Sequence, residues 1–197
     1  DHDRVTRRGW IKLQISIYTE ELSRGLYLSN SRYSWGGIWS ELEVQLFDQI
    51  ITRAGGRRTT ISAYAPEDPE SGTLGVDKTW GAWIGNVGVE WWANDWLTLM
   101  ASADQGFRAP NLDDMTSRQR TGPGFQIENP NLEPERGVTQ EVGLQIANRH
   151  IEVDGWLYRS TLNQAISRTT RDVDACPEGG APECRTTWAR LQLVNLP

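Results

Sequence analysis

Apolar side chains fall on every second position near the start of the chain. Ile11, Leu13, Ile15 and Ile17 share one side of an extended backbone, and Lys12, Gln14, Ser16 and Tyr18 share the other. A period of two is the spacing of a strand with one apolar face, so 10–19 is predicted as β. The same plan recurs at 35–47, where Ile38, Leu42, Val44 and Leu46 oppose Glu41, Glu43 and Gln45. A weaker strand covers 50–65, and Gly55–Gly56 within it suggests a bulge or bend.

Two hairpins follow. Val87, Val89 and Trp91 alternate with Gly88, Glu90 and Trp92 up to a turn at Ala93–Asn94–Asp95, residues that tolerate turn geometry. Leu97, Leu99, Ala101 and Ala103 then alternate with Thr98, Met100, Ser102 and Asp104. In the second hairpin, Val142, Leu144 and Ile146 lead to a turn at Asn148–His150, and one long strand is expected over 151–169. Its faces cannot be assigned from Gly155 onward, because Trp156, Leu157 and Tyr158 break the alternation. A last strand starts near Arg190.

That makes an all-β chain, an antiparallel up-and-down meander of about eight strands, and its connections alternate in length. Turns near 47–50, 93–96 and 148–150 are short; loops near 23–34, 66–82, 105–137 and 169–188 are long. In a meander, alternate connections lie at one end of the sheet, so one end is trimmed and the other carries every long loop. Outer-membrane barrels sort their loops in this way.

Composition narrows the classes. The 197 residues carry a net charge of −6, with a pI near 5.0. No basic surface for nucleic acid is expected. The chain has no run of 18 apolar residues and a mean hydropathy of −0.56. A membrane barrel remains compatible with both, since it averages apolar-out with polar-in. Ten tryptophans, several at strand ends (Trp10, Trp35, Trp83, Trp91, Trp92, Trp96), suit interfacial aromatic bands. They equally suit a secreted, Trp-rich β-sandwich that binds carbohydrate by stacking. Loop sorting favours the barrel.

Cys176 and Cys184 flank a Gly- and Pro-containing segment. A disulfide between them fits an oxidising compartment. The chain contains no G-x-S-x-G, H-E-x-x-H, P-loop or C-x-x-C, and His2 and His150 are its two imidazoles. No catalytic, cofactor-binding or metal-binding residue is predicted, and an enzyme is not expected.

The 105–137 loop carries a sharper signal. Gly106-Phe107-Arg108-Ala109-Pro110-Asn111-Leu112-Asp113-Asp114 resembles the GFRAP-x-L-x-E/D segment of TonB-dependent outer-membrane receptors. Asn129-Pro130-Asn131-Leu132-Glu133-Pro134-Glu135 resembles their NP-x-L-x-PE segment, and Glu141-Val142-Gly143-Leu144 the following E-x-G-L strand. The resemblance implies that the chain supplies about eight strands, as a curved open segment, of a 22-stranded transmembrane β-barrel. Residues 1–197 are then expected to be a partial barrel domain, with the plug domain and the barrel ends outside it. It also implies a Gram-negative outer-membrane location and uptake of a scarce nutrient of the ferric siderophore, haem or cobalamin type. The TonB complex would act through the plug. Outer-membrane lipid and a small metal chelate would be the other partners.

Physical roles can be given to the motif. Pro110 lacks an N–H and drives Ala109 to extended geometry, so pairing should end there. Arg108 and Glu135 stand at the two feet of the loop, where a salt bridge would join them. Phe107, Arg108, Ala109, Pro110, Asn129, Pro130, Leu132, Pro134 and Glu135 are thus expected to anchor the loop. Arg118, Arg120 and Phe125 at its tip are the candidate ligand contacts, suited to an anionic or aromatic group.

Overall fold

The computed structural model describes residues 9–22, 30–70, 72–177 and 181–197. Seven strands form one meander: β1 (Gly9–Leu22), β2 (Ser31–Leu46), β3 (Ile50–Ala65), β4 (Val76–Asn94), β5 (Leu97–Arg108), β8 (Glu135–Ala147) and β9 (Glu152–Asn163). Each neighbouring pair is antiparallel. The connections at 47–49, 95–96 and 148–151 are tight, and those at 66–75, 109–134 and 171–189 are long. The loop expected at 23–34 falls mostly outside the described residues. Short and long connections alternate along the chain, so the two ends of the sheet differ as the sequence predicts.

Register decides what each face carries. Ile11 pairs Leu42, Leu42 pairs Ala54, Ala54 pairs Val87, Val87 pairs Ala103. Leu99, Leu144 and Val142 lie on that same face, as do Val153 and Leu157. Its large apolar residues are exposed, Ile17 by 82% and Leu157 by 72%. The other face holds Lys12, Glu41, Glu43, Arg53, Arg57, Glu90, Asp104, Glu141 and Asp154. A mostly apolar face exposed to this extent, whose cations include Arg58, Arg136 and Arg159, has hydrocarbon as its natural solvent, and the charged face then lines a polar lumen.

Several local expectations are corrected. Gly55–Gly56 makes no bulge: Gly55 pairs Asn86 and Gly56 pairs Gly85 in unbroken register. The irregularity lies between Trp92 and Asn94, beside the turn. β4 begins at Val76 and takes up the second half of the loop predicted at 66–82. The single strand expected over 151–169 is broken at Gln164, whose φ is +57°. Residues beyond it form β10 (Ala165–Thr170), which leaves the wall to pair with β11 (Arg190–Leu196).

The loop at 105–137 is also more ordered than its sequence suggests. β5 extends to Arg108, and 109–134 contains α1 (Leu112–Thr116), β6 (Gln119–Thr121) and β7 (Gly124–Ile127). β6 and β7 form a hairpin that joins β10 and β11 in a second, four-stranded sheet, ordered β10-β11-β7-β6. The β7–β11 contact is parallel. Gly124 makes it possible: its φ is +151°, and a Cβ there would run into the Ala189 carbonyl that accepts from Phe125 N–H.

Buried apolar residues gather at the long-loop end. Ala63, Ala65, Val76 and Trp80 from the lumen face of β3 and β4 pack with Ala109, Leu112, Met115 and Leu132. Among the described residues, the tryptophans do not form two lipid-facing bands. Trp83 and Trp91 are on the apolar face, whereas Trp35, Trp39, Trp80, Trp92 and Trp156 are on the lumen face. The side chain of Trp10 lies outside the described residues. The tryptophans also do not collect in one groove, and the wall is a single meander, so the β-sandwich reading does not hold.

Candidate functional site

Pairing between β5 and β8 ends at Arg108↔Glu135, which sets the two feet of the 109–134 loop side by side. Arg108 Nη1 donates to Glu135 Oε2 and Arg108 Nη2 to Asp114 Oδ2, both at 2.7 Å. The other Glu135 oxygen accepts from Ile166 N–H at 2.7 Å. Asp114 also closes a capping box on α1: its carboxylate accepts from Asn111 N–H, and the Asn111 side chain accepts from Asp114 N–H. One guanidinium therefore ties the end of β5, the start of β8 and the first turn of α1. Charge-assisted, two-pronged contacts of this kind suit Arg rather than Lys.

The remaining motif residues make the return path. Ala109, Pro110, Leu132 and Pro134 are buried. Asn129 Nδ2 donates to Leu193 O at 2.8 Å, and Asn129 N–H to Met115 O at 2.9 Å. Asn195 of β11 donates to the carbonyls of Glu133 and Gln164 and accepts from Glu133 N–H. Pro130 is half-buried at the start of this return. Phe107 lies on the apolar face, with Arg136 5.5 Å from its ring centroid, and packs against the cluster that holds Ala109, Leu112, Met115 and Leu132.

The three candidate ligand contacts separate. Phe125 is 2% exposed and packs with Ile127, Ala181 and the Cys176–Cys184 disulfide. Arg118 is nearly covered, 3.7 Å from Glu128. Both are therefore corrected from tip contacts to interior residues. β7 is sandwiched between β6 and β11, which turns its side chains into a small core. Arg120 alone of the three is exposed. Glu128 is buried too; Leu74 N–H donates to it at 3.4 Å, and burial pushes its carboxyl above the ordinary range.

The lumen face beneath this canopy carries a further surface that sequence reasoning missed. Arg57 lies along Gly37, with its guanidinium 5.9 Å from the Trp35 ring centroid, and Tyr18 stacks on Trp35 at 6.0 Å. Arg57 Nε is buried without a hydrogen-bond partner. The adjoining groove, about 300 Å³, is lined by Trp39, Glu41, Ile84, Asn86 and Asp104. The period-two pattern had already put Trp35, Trp39 and Arg57 on one face, but only the register brings them together. Asp114 was missed as well; Asn111-x-x-Asp114 is a readable capping pattern. Among the described residues, no group of three or more His, Cys, Asp or Glu is placed to hold a metal ion.

A family model described as "TonB dependent receptor-like, beta-barrel" matches residues 3–196. The chain belongs to this family. Its members are receptors of the Gram-negative outer membrane and not enzymes, which assigns the apolar face of the meander to lipid and the long loops to the cell exterior. The chain is 29% identical over 118 residues to a hemin receptor of Yersinia enterocolitica, covering 55% of this chain and 16% of that protein. It is 21% identical over 161 residues to the vitamin B12 transporter BtuB of Vibrio vulnificus, covering 80% and 24%. The chain thus spans less than a quarter of the length of both relatives. In fold it is similar to the Serratia marcescens hemophore receptor HasR solved with its hemophore HasA and heme. There the TM-score is 0.69 and identity 14%, over 96% of this chain and 37% of that one. The FrpB iron transporter of Neisseria meningitidis gives a TM-score of 0.65 at 15% identity, over 98% and 29%.

Proposed function

We propose that this chain is a partial barrel domain, forming lumen wall and extracellular canopy, of an outer-membrane active-transport receptor. Its ligand is a scarce nutrient of the ferric siderophore, haem or cobalamin type. The TonB complex energises release through a plug domain that belongs to the complete receptor. The observation that carries this reading is the joining of loops 109–134 and 171–189 into one buttressed sheet above a charged lumen face. A canopy held by Arg108, Asn129 and Asn195 can receive a ligand from outside and keep the lumen entrance in shape while a plug moves. The names of the relatives, which include hemin, vitamin B12 and iron, support the ligand class.

The test is uptake of haem, a ferric siderophore and cyanocobalamin by cells that depend on the complete receptor. Uptake of one class should require both the receptor and TonB. Receptor-dependent uptake that persists without TonB would overturn the proposal, as would uptake of none of the three.

A further inference from the structure

Backbone pairing between β4 and β5 stops at Asn86↔Asp104, although β4 runs on to Val76 and β5 to Arg108. β5 instead follows β8 to its end. The wall therefore splits between β4 and β5 on the long-loop side, and the 132–134 segment backs the gap. On the lipid-facing side the split is a groove. Its upper part, about 460 Å³, is lined by Gly81, Phe107, Pro134 and Arg136. Below it, a part of about 290 Å³ is lined by Gly85, Val87, Ala103 and Val138.

Two cations flank the upper part. Arg58 reaches over β4, where its guanidinium lies against Gly81 and 5.6 Å from the Trp83 ring centroid. Arg136 reaches over β5, 5.5 Å from the Phe107 ring centroid. Arg58 is the register partner of Trp83, and Arg136 of Phe107, so each cation covers a strand that borders the split. Neither makes a hydrogen bond or ion pair with a described residue. A guanidinium held beside an aromatic ring still has N–H donors to offer an anion. The carboxylates lining the groove are Glu133 in the upper part, with Lys78 Nζ 3.4 Å from it, and Asp104 of the lumen face in the lower.

The groove is thus cationic above and mostly apolar below, where Asn86, Asp104 and Gln105 add polar groups, on the face that meets lipid. We propose that it seats one anionic, phosphate-bearing membrane lipid. The phosphate lies between Arg58 and Arg136, and an acyl chain runs down Val87, Ala103 and Val138. A free anion has no use for the lower groove, and a neutral lipid has none for the two arginines.

Native mass spectrometry of the complete receptor in a neutral detergent tests this, with phosphatidylglycerol, phosphatidylcholine and inorganic phosphate as probes. One phosphatidylglycerol should be retained in preference to phosphatidylcholine. Arg58→Gln with Arg136→Gln should weaken its retention about 25-fold, each arginine supplying about fivefold. Val138→Trp, which fills the lower groove, should also weaken it, whereas Arg159→Gln, on the same face but off the groove, should not. If the double variant does not assemble, Arg136→Gln alone carries the test, since Arg136 is exposed. Equal retention of the two lipids, or unchanged retention in the arginine variant, overturns the proposal. So does displacement of the lipid by inorganic phosphate at equal concentration. None of these outcomes depends on which nutrient the receptor transports.

Discussion

Arg108 and Glu135 are register partners at the last rung of the β5–β8 pair, and Arg108 Nη1 donates to Glu135 Oε2 at 2.7 Å. This contact adds a side-chain closure to the base of a loop whose ends are also joined by backbone pairing and by the packing of Ala109 with Leu132. Asp114, on the second nitrogen, extends the closure to α1.

Arg108→Ala should therefore loosen the loop more than the wall. The Arg108 side chain is half-exposed, so the global cost should be about 1 kcal/mol. Cleavage within 109–134 by a protease added to intact cells should rise while barrel assembly stays normal. Arg108→Lys should recover only part of the protection, because an ammonium cannot form the two-pronged fork. Unchanged cleavage in Arg108→Ala would remove the anchor role.

Glu128 makes the canopy sensitive to pH. Burial holds its carboxyl above the ordinary value of 4.5 in the folded chain, so the folded state binds the extra proton. The stabilisation is complete below that ordinary value and is lost as pH rises through the raised one. Hydrogen exchange in β6 and β7 should accordingly be slower at pH 4 than at pH 7.5, after correction for intrinsic rates. Glu128→Gln, neutral at both pH values, should flatten the difference.

Cys176 and Cys184 close a short loop against β7. Replacing both by Ser should cost about 2–3 kcal/mol of local stability by the loop-entropy relation. The effect should appear as faster exchange in β7 and β11, with the β1–β5 wall unaltered. Loss of protection throughout the wall would show the canopy and the barrel to be one cooperative unit.

Phe125 and Arg120 separate structure from recognition at the loop tip. Phe125→Ala empties a buried site and should destabilise the canopy by about 3–5 kcal/mol, visible in the same exchange measurement. Arg120→Ala, at an exposed position, should leave exchange unchanged. Ligand affinity that falls in Arg120→Ala alone would place recognition there.

By itself the sequence determined the wall. Strict alternation at Ile11–Ile17, Val87–Trp91 and Leu97–Ala103 is a local property, because successive side chains of a strand must point to opposite faces. Pro110 and the run from Asn129 to Glu135 marked where the wall gives way to a loop, and Arg108 and Glu135 could be paired from their places at its feet. Tertiary structure decided the rest. Phe125 and Arg118 look like exposed tip residues until β7 is placed beside β11, a parallel contact between segments more than sixty residues apart. Gln164 breaks a strand that its neighbours would have continued, and β10 beyond it pairs with β11 rather than with the wall. The split between β4 and β5, and the pairing of Arg58 with Trp83 and Arg136 with Phe107, depend on where register runs out. Register is a relation between strands, and no single strand's pattern contains it.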